Sequence, residues 1–338
     1  MNLSSQGTLA IIGGPESGKS TWLGSVLEAI QQGQSQVLRL PPGGFPNDAH
    51  AINVLTEPLV EARYSKRTPT DQQIDLQIGL EARHAALGKR NFQLAVSDYG
   101  GEQIDVLFEH RVRGWGQPWR VRANSAGLLL FIRPDANLPL PRTVQISGGS
   151  PWSSGLSEAP TSLRPEAGGP ITPDQIFPTI SDEVPDVPAP GPRDPVRVPS
   201  VLALVEMLQF LRAERGYGSG QHPPPGVLRV AIVVSAWDAV SDEWRRKGPN
   251  HYLAEHMPLL EEFMWSNFAS EDVLRFGLSA TGGDLKDDTY RKKYEDDPGG
   301  WCEWAGPGGG IKHTSEVGLP LLWTVFGDQG LSCGEPEE

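Results

Sequence analysis

Apolar residues along the chain come in short unbroken runs separated by amphipathic stretches, a pattern that predicts an α/β architecture built on a largely parallel sheet. Residues 8–13 (TLAIIG) form an apolar run stopped by glycines and predict a buried strand. Residues 19–31 place Trp22, Leu23, Val26, Leu27 and Ile30 at helical spacing, so a helix is expected directly behind it. Residues 32–69 are polar and irregular, with a short helix expected near 49–64. Residues 74–80 alternate apolar and polar positions, and 91–97 (NFQLAVS) predict a partner strand, joined through a long hairpin containing Gly88 and Lys89. Continuous runs at 126–132 (AGLLLFI) and 228–234 (LRVAIVV) predict strands in the middle of the sheet. Helices are expected over 201–215 and 252–268, a last strand over 273–278 and a closing helix over 317–326.

Composition changes this picture in one place. The chain has 39 glycines and 31 prolines, and many crowd into residues 136–199 with serine. That stretch has too few periodic apolar positions to offset its chain entropy. It predicts a largely disordered insertion within one domain made of residues 1–135 and 200–330, followed by an acidic tail, 331–338. A second segment rich in Gly, Pro and acids, 284–310, carries Trp301 and Trp304 and is expected to be a packed loop.

The formal net charge of −13 disfavours nucleic acid and polybasic membrane anchoring as functions. Cys302 and Cys333 are too few and too far apart for a zinc knuckle or a disulfide scaffold, which fits a reducing cytoplasm. No apolar run reaches the length of a membrane span, and residues 1–8 lack the cationic and apolar regions of a secretion signal. A cytoplasmic protein with no membrane insertion is expected.

Gly13-Gly14-Pro15-Glu16-Ser17-Gly18-Lys19-Ser20, followed by Thr21, fits the phosphate-loop pattern G-x-x-x-x-G-K-[ST]. Glycines permit backbone geometries that a Cβ forbids, so such a loop can wrap a phosphate. Its successive N–H groups point inward as an anion nest, and the following helix adds the positive end of its dipole. Lys19 is placed to reach the β- and γ-phosphates and the Ser20 hydroxyl to ligate Mg²⁺.

Three further stretches carry chemistry. Asp98-Tyr99-Gly100-Gly101-Glu102-Gln103 follows the strand 91–97. An aspartate there can reach Mg²⁺ through a water, and the N–H of Gly101 can meet the γ-phosphate, so that loss of this phosphate releases the loop. Arg67-Thr68-Pro69-Thr70 precedes the strand 74–80. Thr70 is the choice for closing over metal and phosphate, with Thr68 its rival. Ser235-Ala236-Trp237-Asp238 ends the run 228–234, and Leu278-Ser279-Ala280-Thr281 ends the next strand. A carboxylate at Asp238 can accept from the N1–H and N2–H₂ of guanine, a donor pair that adenine lacks. A backbone N–H at Ser279–Ala280 can meet guanine O6.

With these elements in this order, the chain resembles the Ras-like, translation-factor-related (TRAFAC) class of P-loop GTPases over residues 8–326. Within the class it is most similar to the bacterial double-GTPase group, which is associated with predicted conflict and signalling systems. The helix carrying Pro320-Leu321-Leu322-Trp323 and the large insertion accord with that narrower match. The resemblance implies a three-layer fold, with a mostly parallel six-stranded sheet, helices on both faces and residues 74–80 as the one antiparallel edge strand. It implies Mg²⁺-dependent binding of GTP and GDP, slow hydrolysis by in-line attack of water, and a switch that acts on a protein effector or regulator. Carried over by position, Lys19 and Ser20 hold phosphate and metal, Thr70 and Asp98 complete the metal shell, Gly101 reads the γ-phosphate and Asp238 reads guanine.

The chain departs from the class in three places. The usual base-reading motif is Asn/Thr-Lys-x-Asp, but Ser235 and Ala236 stand in its first two positions, and Ala236 has no stem to lay along the base. Glu102 stands where small GTPases carry the water-positioning glutamine, with Gln103 as the alternative. Arg67 lies three residues before Thr70, the spacing of an arginine finger acting in cis, a residue worth about 10³-fold or more in rate.

The remaining chemistry-bearing residues are scattered. Seven histidines show no ligand spacing. Trp115 and Trp119 are expected to pack. Two alternatives stand beside the switch: a P-loop ATPase or nucleotide kinase, for which no arginine-rich lid is found beyond Ile132-Arg133-Pro134-Asp135, and a non-hydrolysing nucleotide-binding scaffold.

Overall fold

The unbroken apolar runs become strands buried on both faces. A computed structural model describes residues 9–14, 16–41, 49–64, 73–84, 87–99, 119–120, 123–134, 200–218, 221–306 and 308–332. In chain order these form β1 (Leu9–Gly13), α1 (Lys19–Gln31), β2 (Leu38–Arg39), α2 (Ala49–Val60), β3 (Gln73–His84), β4 (Gly88–Tyr99) and β5 (Gly127–Ile132). There follow α3 (Ser200–Glu214), β6 (Arg229–Val234), α4 (Asp242–His256), α5 (Pro258–Asn267), β7 (Val273–Ser279), α6 (Asp288–Asp296), β8 (Trp301–Ala305), β9 (Ile311–Thr314), α7 (Leu319–Phe326) and α8 (Asp328–Leu331). The chain divides into two units, Met1–Leu138 with Val198–Glu338, and Pro139–Arg197. The expected insertion, 136–199, lies outside the described residues, as do residues 333–338 of the expected tail.

The main sheet has six strands in the order β1-β5-β6-β7-β8-β9. The first four are parallel and the last two antiparallel. Every residue of β1 and β5 is buried, as expected for parallel strands between two helical layers. On one face Leu9, Ile11, Leu129, Phe131, Val233 and Phe276 pack with Trp22, Leu23 and Val26 of α1 and with Leu319, Leu322 and Trp323 of α7. Each fully buried aliphatic side chain here contributes about 1.5–3 kcal/mol. The alternate residues Ala10, Ile12, Leu128, Leu130, Ile232 and Val234 are buried toward the other face. Trp22 sits 5.1 Å from the Phe131 ring and donates its indole N–H to the Val317 carbonyl at 2.8 Å, which ties α1 to the chain entering α7.

The mostly parallel six-stranded sheet and its helical layers agree with the expectation, but the identity of the antiparallel edge differs. Residues 74–80 do not join this sheet. They belong to β3, which pairs with β4 and β2 in a separate three-stranded antiparallel sheet. β4 runs alongside β1 without entering its ladder. The antiparallel edge is instead the pair β8 and β9, so residues 273–278 are not the last strand. Within the segment expected as a packed loop, Cys302 and Trp304 alternate with half-buried Trp301, Glu303 and Ala305. That alternation is a strand signal which the surrounding glycines and prolines obscured. The helix expected over 252–268 is broken at Met257, whose backbone leaves the helical region at φ −136°, ψ 51°. The residue before a proline is pushed out of the α region, and Pro258 opens the next helix. Trp119 is buried, in line with the packing role expected for it.

Candidate nucleotide-binding site

The carboxyl ends of β1, β6 and β7 bring the phosphate loop and both candidate base-reading turns to one edge of the sheet, where open α/β sheets bind ligands. The loop leaves β1 at Gly13. Two residues then take the left-handed conformation, Glu16 at φ 56° and Gly18 at φ 82°. Gly18 serves as N-cap of α1 with no side-chain cap, and the first turn of α1 holds no acidic residue. An uncapped helix start without a competing carboxylate suits an anion. A Cβ on Gly13 would fall 2.5 Å from the Ser17 hydroxyl and 2.7 Å from the Phe131 carbonyl, so only glycine fits there.

Lys19 is 6% exposed and folds back over this loop. Its ammonium donates to the Gly13 carbonyl at 2.9 Å, the Gly14 carbonyl at 3.2 Å and the Ser17 hydroxyl at 3.4 Å. Ser17 is itself buried. Arg133, just past β5, donates to the Glu16 carbonyl at 3.4 Å. The sequence marks Arg133 as a weak lid contact, and its place beside the loop follows from β5 being the neighbour of β1. Ser20 and Thr21 occupy the first turn of α1, half-buried.

The turn after β6 abuts the phosphate loop. The Ser235 N–H and hydroxyl both donate to the Ile132 carbonyl, at 2.9 and 3.2 Å. A Cβ on Gly18 would lie 3.2 Å from the Ser235 Cβ. Ala236 then adopts a left-handed conformation, φ 46°, ψ 43°, and a single 3₁₀ turn, Trp237–Ala239, follows. Such a backbone costs a non-glycine residue about 1–2 kcal/mol, a cost that clusters at functional turns. Trp237 is fully buried and donates its indole N–H to the Glu303 carboxylate at 2.7 Å. Its indole therefore packs in the core, although Trp237 stood among the expected nucleotide contacts. Asp238 is half-buried and lines a cavity of about 650 Å³ with Gly282, Gly283, Tyr290 and Trp301. Desolvation, helped by the Asp238 carboxylate, pushes the Tyr290 phenol above its ordinary range.

The turn after β7 completes this edge. Ser279 is fully buried, and its hydroxyl has no hydrogen-bond partner among the described residues. A buried orphan hydroxyl marks a place where a further partner is wanted. The Ala280 carbonyl accepts from the Ser25 hydroxyl of α1 at 2.7 Å, so the helix behind the phosphate loop also anchors the turn after β7. Ser25, Tyr290 and Glu303 were not singled out from the sequence. Ser25 carried a signal, since it lies on α1 within two turns of Lys19.

Other expected site residues lie outside the described set: Pro15 of the phosphate loop, Arg67, Thr68 and Thr70, and Gly101, Glu102 and Gln103. Asp98 is the penultimate residue of β4, opposite Ile74. No group of three or more His, Cys, Asp or Glu poised for a metal occurs among the described residues. None of their helices is long and apolar enough to cross a membrane.

A family model described as Double-GTPase 1 matches residues 10–324. Comparison with curated protein sequences gives no match. Among solved structures the chain is similar to the bacterial selenocysteine-specific elongation factor EF-Sec, with 11% identity and a TM-score of 0.30 over 89% of this chain and 34% of that one. It is also similar to the signal recognition particle receptor SRb-GTP/SRX complex from Chaetomium thermophilum, with 12% identity and a TM-score of 0.34 over 87% and 99%. A third is the S. cerevisiae Ski7 GTPase-like domain bound to GTP, with 10% identity and a TM-score of 0.32 over 91% and 58%. The chain thus spans about a third of the length of the elongation factor.

Proposed function

The chain belongs to the Double-GTPase 1 family, and from that footing we propose that it is a GTP-binding and GTP-hydrolysing molecular switch that requires Mg²⁺. The observation that carries this reading is the convergence of the Gly13–Ser20 loop, Asp238 and Ser279–Ala280 at the carboxyl ends of β1, β6 and β7. Lys19 exchanges its bonds to the loop carbonyls for the β- and γ-phosphate oxygens. The loop amides and the α1 N-terminus take the remaining charge. Asp238 accepts from N1–H and N2–H₂ of guanine, and the Ala280 N–H meets O6. Ala236 offers no stem to lie along the base, so guanine selection falls on hydrogen bonding more than on stacking.

The metal donors in this reading are Ser20, Thr70 and Asp98, all oxygen, and an all-oxygen set suits Mg²⁺. Bound there, the ion would neutralise phosphate charge. Thr70 and Gly101 close on the γ-phosphate, Glu102 or Gln103 orients the attacking water, and Arg67 supplies a positive charge in cis. Release of these contacts after hydrolysis is the switch, read by a protein effector or regulator in the cytoplasm of a bacterium, in a regulatory or conflict system. The Pro139–Arg197 unit belongs to this reading as an insertion in a single nucleotide-binding domain.

The test is a titration of GTP, GDP and ATP with Mg²⁺ in excess, on the parent and on Asp238→Asn. The parent should prefer GTP. Asp238→Asn should shift preference to xanthosine triphosphate, whose O2 accepts where guanine donates. An ATP preference that survives Asp238→Ala rejects the base assignment in favour of an ATPase or kinase. Binding of GTP with no phosphate release favours a non-hydrolysing scaffold.

A further inference from the structure

The turn that meets guanine O6 runs into Thr281-Gly282-Gly283-Asp284, a loop that bonds to itself where the Thr281 hydroxyl donates to the Gly283 carbonyl at 2.8 Å. Gly282 is left-handed at φ 77°, and two consecutive glycines lose more conformational entropy on ordering than any other pair. Further order comes from outside. On one side Tyr290 of α6 donates its hydroxyl to the Thr281 carbonyl at 2.8 Å. Its ring lies so close that a Cβ on Gly282 or Gly283 would meet it at 2.6–2.7 Å. On the other side stands Tyr64, more than two hundred residues earlier in the chain and four residues past α2. Its hydroxyl donates to Asp284 Oδ1 at 3.0 Å and accepts from the Leu285 N–H at 3.1 Å. Both functions of the phenol are therefore spent on the loop. Leu285 itself packs with Leu59 of α2, Ala62 and Tyr294. Desolvation pushes the Tyr64 phenol up to about 12, so it keeps the donated proton throughout the neutral range.

We propose that Tyr64 is a specificity-determining positioning residue: its hydroxyl fixes the loop after β7, and so sets the Ala280 N–H that separates a 6-oxo purine from a 6-amino purine. The inference rests on the base-reading roles proposed above for Asp238 and Ala280. It divides their labour. Asp238 senses the 2-amino group, which guanine has and hypoxanthine lacks. The Tyr64-held loop senses O6, which guanine and hypoxanthine share and adenine lacks. Tyr64 also lies three residues ahead of Arg67 in the sequence.

The experiment measures affinities of the full chain for GTP, inosine triphosphate and ATP with Mg²⁺, on the parent, Tyr64→Phe, Asp284→Ala and Asp284→Asn. Phenylalanine keeps the ring and removes only the hydroxyl. Asparagine keeps an acceptor for that hydroxyl, whereas alanine removes it. Tyr64→Phe and Asp284→Ala should lower the preference for inosine triphosphate over ATP roughly three- to tenfold, the range for one lost hydrogen bond. Asp284→Asn should retain it, and the preference for GTP over inosine triphosphate should stay at the parent value in all. A Tyr64→Phe protein that keeps the parent preference overturns the inference alone. So does an equal fall for all three nucleotides, which is what general loosening would give. A parent that does not prefer inosine triphosphate to ATP overturns the guanine reading and this inference with it.

Discussion

Gly277→Ala should dislodge Trp237 and, through it, the neighbouring Asp238. Gly277 lies inside β7 with the Trp237 indole directly against it. A Cβ built there would fall 2.5 Å from Cε2 and Nε1 and 2.6 Å from Cδ1. Carbon atoms rest at about 3.5–4.0 Å, so the ring has to retreat by about 1 Å. It has little room to do so. Trp237 is fully buried, the Tyr252 ring meets it edge-on at 5.4 Å, and its N–H is held by Glu303 at 2.7 Å. Overpacking of this kind costs about 1–3 kcal/mol. Losing a hydrogen bond to a charged acceptor costs about 1.5–3 kcal/mol. One displacement causes both losses, so they do not add in full, and about 2–4 kcal/mol of lost stability is expected. At about 2–4 °C per kcal/mol the melting temperature should fall by roughly 5–15 °C. Circular dichroism melts check this part. A GTP titration checks the rest: affinity for GTP should fall roughly tenfold, while affinity for inorganic tripolyphosphate, which touches only the loop after β1, should hold. Trp237→Phe alone should also destabilise, yet in combination with Gly277→Ala the loss should be smaller than the sum of the two singles, because the smaller ring frees space. A melting temperature within about 1 °C of the parent, with GTP affinity unchanged, would refute the reasoning.

Three further outcomes are expected. Lys19→Ala should weaken capture of GTP and of tripolyphosphate alike by roughly 100-fold, since charge-assisted contacts to phosphate disappear from both; fluorescence titration with a labelled nucleotide reads this, and undiminished capture removes the phosphate loop from the account. Arg67→Ala should slow steady-state phosphate release at saturating GTP by about 10³-fold with little change in GTP affinity, and an unchanged rate eliminates the finger in cis. Burial pushes the Glu316 carboxyl above its ordinary value of 4.5, against hydrogen bonds from the Ser35 hydroxyl and the Gly318 N–H. The folded state thus favours its protonated form. That contribution is complete below pH 4.5 and is lost as pH rises through the raised folded value. The parent should lose stability across this window more steeply than Glu316→Gln in denaturant melts, and parallel pH courses refute the assignment.

Much of the fold was legible because the parallel strands are buried on both faces and their apolar runs are unbroken. β1, β5, β6 and α1 lie within a residue or so of their expected limits. The phosphate loop was legible for the same reason, since its spacing demands a strand before it and a helix after it. What stayed hidden depends on pairing. Nothing in residues 74–80 says that β3 builds its own sheet with β2 and β4, because its alternation would serve either place. β8 carries a five-residue alternation that six glycines within residues 299–310 disguise. The turns proposed to read the base were legible as the ends of β6 and β7, but their support was not. Ser25 and Tyr64 reach those turns from more than two hundred positions away, where no local pattern marks them, and Tyr290 and Glu303 reach them from the neighbouring elements α6 and β8. Trp237 shows the converse. Adjacency to Asp238 suggested a ligand contact, yet the left-handed Ala236 and the 3₁₀ turn after it bury its side chain in the core.

The pair β8–β9 has a consequence for how the molecule lives with its neighbours. A parallel sheet ending at β7 would offer seven residues of backbone with amides and carbonyls turned outward, a template on which another chain could build. The two antiparallel strands move that rim outward and shorten it to the four residues of β9, two of which are Lys312 and His313. A short rim bearing charge is a poor seed for sheet-to-sheet growth. The hairpin therefore blunts this edge of the sheet, and shortening it is expected to raise the tendency of the protein to aggregate.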